Sequence, residues 1–186
     1  DTQIRVGDFD SGVIAHEFGH GVSNRLVGGP NNVDCLRVHD EREGEGWSDF
    51  WSYALTMRPE DNGRTPRGIG TYVVYHEKGR KDTGIRITPY STNMKINPST
   101  YDTIKTAAEP HGVGYVWASM LWDLYWNLVD EHGFMIEAVT YEDPDAGGAK
   151  RINCVILPRT GAWMWIAAAA ASALVASAAS QAAAGR

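Results

Sequence analysis

Apolar residues recur at helical spacing in three places along the chain. Val13, Ile14, Phe18, Val22 and Leu26 predict a helix over residues 11–26, with Ser11 as its N-cap. The run Gly28-Gly29-Pro30-Asn31-Asn32 ends it, because it combines three kinds of turn residue. A second, aromatic-rich helix is expected from about residue 45 to residue 57, stopping at Pro59. The third pattern is the clearest. Val113, Val116, Trp117, Met120, Leu121, Leu124, Tyr125 and Leu128 keep i, i+3, i+4 spacing across residues 113–129, a stripe wide enough for burial on more than one side.

Elsewhere the pattern is broken. Residues 60–110 are rich in Gly and Pro and read as loops, with Tyr72-Val73-Val74-Tyr75 and Ile85-Arg86-Ile87 as short strands or fragments of helix. After about Glu142 the character changes: residues 143–148 form a turn-rich break, and residues 162–184 carry no charge and are mostly alanine. That run is long enough to cross a bilayer. Alanine, however, is a strong helix former and a weak membrane residue, so a low-complexity tail is expected and a membrane span is not.

Composition narrows the class. A chain of 186 residues fits one domain, and 43% hydrophobic with 22% charged residues is globular composition. Lys+Arg 17 against Asp+Glu 23 gives a net charge of -6, which argues against a nucleic-acid partner. Residues 1–10 have neither the basic nor the apolar region of a signal peptide. Cys35 and Cys154 allow one disulfide at most, and no C-x-x-C pair exists to build a thiolate zinc knuckle.

The chemistry lies in His16-Glu17-Phe18-Gly19-His20, an H-E-x-x-H pattern on the first predicted helix. Residues i and i+4 stack on one helix face, so two imidazoles can share one tetrahedral Zn2+. Glu17 lies one residue further round, placed to hold a metal-bound water. The extended motif with a third histidine is excluded, since Ser23 and Leu26 stand where Gly and His are required. A carboxylate from a second helix is the other common third ligand. Asp40, Glu41, Glu43 and Glu45 are candidates. Glu45 is favoured because Asp49 follows at i+4 on the same face, where it can accept the free ring N–H of a zinc-bound histidine.

Three ordered blocks resemble the fungalysin metallopeptidases (family M36). They are residues 16–26 followed by Gly28-Gly29, then Gly44-Glu45-Gly46-Trp47-Ser48-Asp49-Phe50, then His111-Gly112-Val113-Gly114 running into Trp117 and Trp122. The resemblance implies a secreted zinc endopeptidase of the thermolysin-like (gluzincin) class, made as a zymogen with an N-terminal propeptide and acting on proteins or peptides. On matching positions it implies His16, His20 and Glu45 as ligands of one Zn2+ and Glu17 as the catalytic carboxylate. His111 stands where such enzymes carry a transition-state histidine, although Pro110 replaces the expected valine. Tyr101 and Tyr115 are alternative donors. His39, His76 and His132 lack metal-ligand spacing, and Arg25 reads as a favourable charge at a helix end.

The expected fold is therefore mainly α, the helical lobe of a thermolysin-like zincin with its N-terminal β lobe largely absent from this chain. Residues 1–142 would be a partial catalytic domain and residues 143–186 a divergent tail. The alternative is a truncated zinc-binding remnant of such a peptidase, without activity.

Overall fold

The computed structural model describes residues 5–36, 43–58, 60–142 and 150–158. The chain divides into two compact units, Asp1–Trp126 and Asn127–Arg186. Among the described residues the architecture is mainly α. In order along the chain are a 3-10 turn (Gly7–Phe9), α1 (Ser11–Gly28), α2 (Gly44–Thr56), a second 3-10 turn (Tyr101–Thr106) and α3 (His111–His132). Then β1 (Phe134–Glu142) pairs antiparallel with β2 (Lys150–Pro158), Phe134 opposite Pro158 and Glu142 opposite Lys150. All three helices expected from the pattern form, each within three residues of its expected ends. The hairpin was not anticipated. The low-complexity run at 162–184 lies outside the described residues, and no described helix is long and apolar enough to cross a membrane.

Two details of α1 differ from expectation. Its N-cap is Asp10, not Ser11: the Asp10 carboxylate accepts from the N–H groups of Gly12 (3.0 Å) and Val13 (3.2 Å), satisfying two of the free donors of the first turn. Its other oxygen accepts from Tyr72 N–H at 3.0 Å, so one cap also anchors the loop. The buried side of α1 is not its apolar stripe. Ile14, Phe18 and Leu26 are exposed, whereas His16, Gly19 and Ser23 face inward.

Close approach explains the choice of inward residues. A Cβ on Gly19 would lie 2.9 Å from the Ser48 Cα of α2. On the far side of α2, a Cβ on Gly46 would meet the Gly114 carbonyl of α3 at 2.5 Å, and one on Gly114 would meet the Glu45 Cβ at 2.5 Å. The helices cross at backbone contact only because these positions lack side chains. Around the crossing lies an aromatic core: Phe50 and Tyr53 of α2, Tyr115, Trp122 and Tyr125 of α3, and Tyr90 from the loop between them, each about fully buried. Edge-to-face pairs such as Tyr53 with Trp122 (5.1 Å) and Phe50 with Tyr125 (6.1 Å) fill it.

The loop-rich middle contains neither strands nor helical fragments at residues 72–75 and 85–87, only turns and bends. Gly79 and Gly84 adopt positive φ (81° and 70°), which breaks any extended run. Two isolated bridges hold it instead, Arg67 with Tyr90 and Ile69 with Gly84. Arg67 then reaches the end of α2, donating to the Thr56 carbonyl at 2.9 Å while pairing with Asp61 at 2.6 Å. Cys35 is a free thiol that donates to the Asn24 carbonyl.

Gly114→Ala tests the crossing. Helix propensity alone would favour alanine by up to about 1 kcal/mol, but overpacking costs roughly 1–3 kcal/mol and prevails at a 2.5 Å contact. The urea midpoint is expected to fall; an unchanged or raised midpoint would refute the backbone-contact account.

Candidate metal centre

One turn of α1 separates His16 and His20, and the first turn of α2 brings Glu45 between them. The Nε2 atoms of the two histidines are 3.1 Å apart. Glu45 Oε2 lies 3.2 Å from His16 Nε2, and Glu45 Oε1 lies 3.6 Å from His20 Nε2. Two nitrogens bound at ~2.0–2.1 Å to one tetrahedral zinc ion stand roughly 3.3 Å apart, so these three donors have the spacing of a shared cation. Among the described residues they form the one group of His, Cys, Asp and Glu able to hold a metal. The donor set, two imidazoles and a carboxylate with no fourth protein ligand in that group, suits a catalytic rather than a structural ion.

Behind His16 stands Asp49, one turn further along α2 and fully buried. His16 Nδ1–H donates to Asp49 Oδ1 at 2.7 Å, which leaves Nε2 as the lone-pair atom facing the other ligands. Arg86 grips the same carboxylate with two bonds, Nε to Oδ2 at 2.6 Å and Nη2 to Oδ1 at 2.8 Å. The Arg86 Nη2 also lies 3.5 Å from Glu45 Oε2. The Tyr90 hydroxyl completes the set, donating to Asp49 Oδ2 at 2.6 Å.

The charges follow from these contacts. Burial resists ionisation of Asp49, but the hydrogen bonds from His16 and Arg86 outweigh it and hold the carboxyl below its usual range. Burial likewise works against Glu45, yet the His16 hydrogen bond and the His111 and His20 rings lower its pKa. For His16, burial disfavours the proton while hydrogen bonds to Asp49 and Glu45 carry the ring up to about 9. Burial and the His16 ring push His20 down. Surroundings negative enough to favour a proton on His16 also favour a cation at the same atom.

The other expected residues fall into place as follows. Glu17 is exposed on α1 beside the histidine pair. His111 is the first residue of α3, 61% exposed, with Nε2 3.5 Å from Glu45 Oε2. Tyr101 is exposed, and the Tyr115 hydroxyl is turned into a buried network with Thr88, Ser99 and Asn97, which removes it as a donor to substrate. Glu43 immediately precedes α2, while Asp40, Glu41 and His39 lie outside the described residues. His76 is exposed, Arg25 donates to the Gly21 carbonyl in the last turn of α1, and the His132 side chain is outside the description. Beside His20 and Glu45 opens a cleft of about 190 Å³, lined also by Asn24, Val33, Leu36 and Pro110.

Arg86 and Tyr90 were missed. In Ile85-Arg86-Ile87 alternation suggests buried isoleucines and an outward arginine; the reverse holds, with Arg86 6% exposed and Ile87 67%. A lone charge set between two β-branched residues was the available signal.

A helical unit with a two-histidine, one-glutamate cluster on an H-E-x-x-H helix has the site pattern of a metallopeptidase. The fungalysin metallopeptidase (M36) family model matches residues 1–158. Relatives include extracellular metalloproteinase 2 of Trichophyton tonsurans, 45% identical over 130 residues (69% of this chain, 20% of the relative). Extracellular metalloproteinase mep of Aspergillus fumigatus is 42% identical, and extracellular metalloproteinase NpIII of Aspergillus oryzae 44%, each over 133 residues (71% of this chain, 20% of the relative). The chain belongs to the fungalysin metallopeptidase family, whose members use a metal. It spans about a fifth of the length of these curated relatives.

Arg86→Gln is expected to destabilise the chain by about 3–5 kcal/mol at neutral pH, because it leaves Asp49 charged and buried with its main partner gone. Denaturant unfolding of the two chains measures this; a loss below about 1 kcal/mol, the size of an exposed pair, would contradict it.

Proposed function

We propose that this chain carries the zinc centre of a secreted endopeptidase that hydrolyses peptide bonds in proteins. His16, His20 and Glu45 would hold the ion. The observation that carries the reading is the convergence of their three donor atoms at the separations a tetrahedral ion requires. Zinc in such a site supplies a Lewis acid that polarises a carbonyl and acidifies water.

The remaining work falls to the protein. Glu17, exposed beside the ligands, takes a proton from the attacking water and passes it to the leaving amine. His111, exposed at the start of α3, donates its ring N–H to the oxyanion that develops on the scissile carbonyl. Asp49 holds His16 in the tautomer that offers Nε2. Substrate side chains next to the scissile bond would occupy the cleft by His20, Leu36 and Pro110. The extracellular names of the relatives support secretion, and a zymogen with an N-terminal propeptide is part of the same reading. The -6 net charge gives no basis for a nucleic-acid partner.

A second reading is zinc binding by the same residues without turnover in this chain. Metal analysis beside a casein-cleavage assay separates the two: zinc at one equivalent with cleavage supports the first, zinc without cleavage the second, and no zinc sinks both. In the active protein Glu17→Gln should keep full zinc while losing about 10²–10⁴-fold in kcat. Near-normal kcat at full occupancy would remove Glu17 from its role. His111→Ala should keep zinc as well and lose roughly 10²–10³-fold in kcat, with KM little changed.

A further inference from the structure

Asp49 receives four hydrogen bonds, and one of them comes from a residue that neither ligates nor carries charge. We propose that Tyr90 is a positioning residue of the metal centre, its hydroxyl locking the Asp49 carboxylate in the orientation that aims His16 Nε2 at the ion. The proposal rests on the reading of His16, His20 and Glu45 as the zinc ligands.

The geometry separates Tyr90 from the other donors. Arg86 is divided between two carboxylates, with Nη2 2.8 Å from Asp49 and 3.5 Å from Glu45. Tyr90 touches Asp49 alone, on Oδ2, the oxygen opposite the one that accepts from His16. A donor there opposes rotation of the carboxylate about its own axis, and that rotation would break the His16 bond. The tyrosine itself is held rigidly. Its ring is fully buried between Tyr53, at 4.4 Å, and Tyr115, at 5.2 Å. Its backbone exchanges two hydrogen bonds with Arg67, at 2.8 and 2.9 Å, and Arg67 is fastened to the end of α2. The hydroxyl therefore sits on a support fixed to the helix that carries Asp49 and Glu45.

Tyr53 provides the contrast. It is buried to the same degree in the same cluster, yet its hydroxyl has no hydrogen-bond partner among the described residues. A buried tyrosine in this cluster therefore does not by itself bring its hydroxyl to Asp49, whereas that of Tyr90 reaches Oδ2 at 2.6 Å. Losing the Tyr90 donor would also make Asp49 slightly more basic. His16 and Arg86 already keep that carboxylate ionised, so lost orientation is the larger effect.

The test is zinc affinity of the 186-residue chain, measured by chelator competition. Tyr90→Phe keeps the ring contacts and should weaken zinc by about ten-fold or more, as outer-sphere changes at metal sites do. Tyr53→Phe should leave the affinity unchanged. On an Asp49→Asn background the effect of Tyr90→Phe should shrink to about two-fold or less, because its route to the metal is gone. p-Aminophenylalanine at position 90 restores a donor and should recover most of the affinity, whereas p-methylphenylalanine, of similar size with no donor, should not. That pair decides the matter if Tyr90→Phe proves unfolded by circular dichroism. Wild-type affinity in Tyr90→Phe, equal losses on both backgrounds, or equal losses with the two analogues would overturn the proposal. Failure of the parent chain to bind one equivalent of zinc would overturn instead the assignment of the ligands.

Discussion

Asp49 is an ionised carboxylate with none of its side chain exposed, and stripping water from such a group costs several kcal/mol unless the protein replaces every hydrogen bond it loses. Here the replacement is complete: His16 and Arg86 on one oxygen, Arg86 and Tyr90 on the other. The donors come from two separate segments, α1 and the loop that carries Arg86 and Tyr90, while the acceptor sits on a third, α2. The need to satisfy one buried charge therefore fixes where α1 lies on α2 and where the long loop must return. Glycines at 19, 46 and 114 follow from the same demand, since the helices must approach to backbone distance for the donors to reach.

The pairing with Arg86 also settles the charge offered to a cation. Asp49 and Arg86 largely cancel, so the negative charge facing the site is chiefly that of Glu45. A divalent ion held by two neutral imidazoles and one carboxylate would keep a net positive charge, which is consistent with the proposed role of the site. Arginine suits this place better than lysine, because its planar fork meets both carboxylate oxygens at once.

Much of this was legible in the sequence, and for a physical reason. His16, Glu17, His20, Glu45 and Asp49 sit on helices, where i, i+1 and i+4 spacing maps directly onto faces, so local periodicity carries three-dimensional information. The helix ends at Gly28 and near Pro59 followed from turn chemistry in the same way. Arg86 and Tyr90 lie in a loop whose course is set by two isolated bridges and positive-φ glycines, and no periodicity encodes where such a segment returns. The N-cap shifted from Ser11 to Asp10 because the carboxylate serves two partners at once, the helix end and the backbone of Tyr72, and the second lies far along the chain. The apolar stripe of α1 misled in a similar manner: its inward face is chosen for small size and metal-ligating chemistry, which a hydrophobicity pattern does not register. The β1–β2 pair was missed because Phe134-Met135-Ile136 and Ala138-Val139 break any apolar/polar alternation, leaving no period-2 signal for a strand.

Exposure across the site rises in the order of the tasks assigned to its members. The side chain of Asp49 is 0% exposed, those of His16 and Glu45 9% and 14%, that of His20 28% and that of His111 61%, with Glu17 also exposed. Groups whose work is orientation gain from burial, since a low dielectric strengthens their hydrogen bonds and close packing removes alternative rotamers. Groups that exchange protons with water or substrate need access, and burial would defeat them. One helix supplies both kinds: His16 points inward and Glu17, a single residue on, is turned about 100° toward solvent. The H-E-x-x-H pattern is thus more than a ligand spacing. Its second position places a carboxylate at the surface, while its first is buried and its last half-buried.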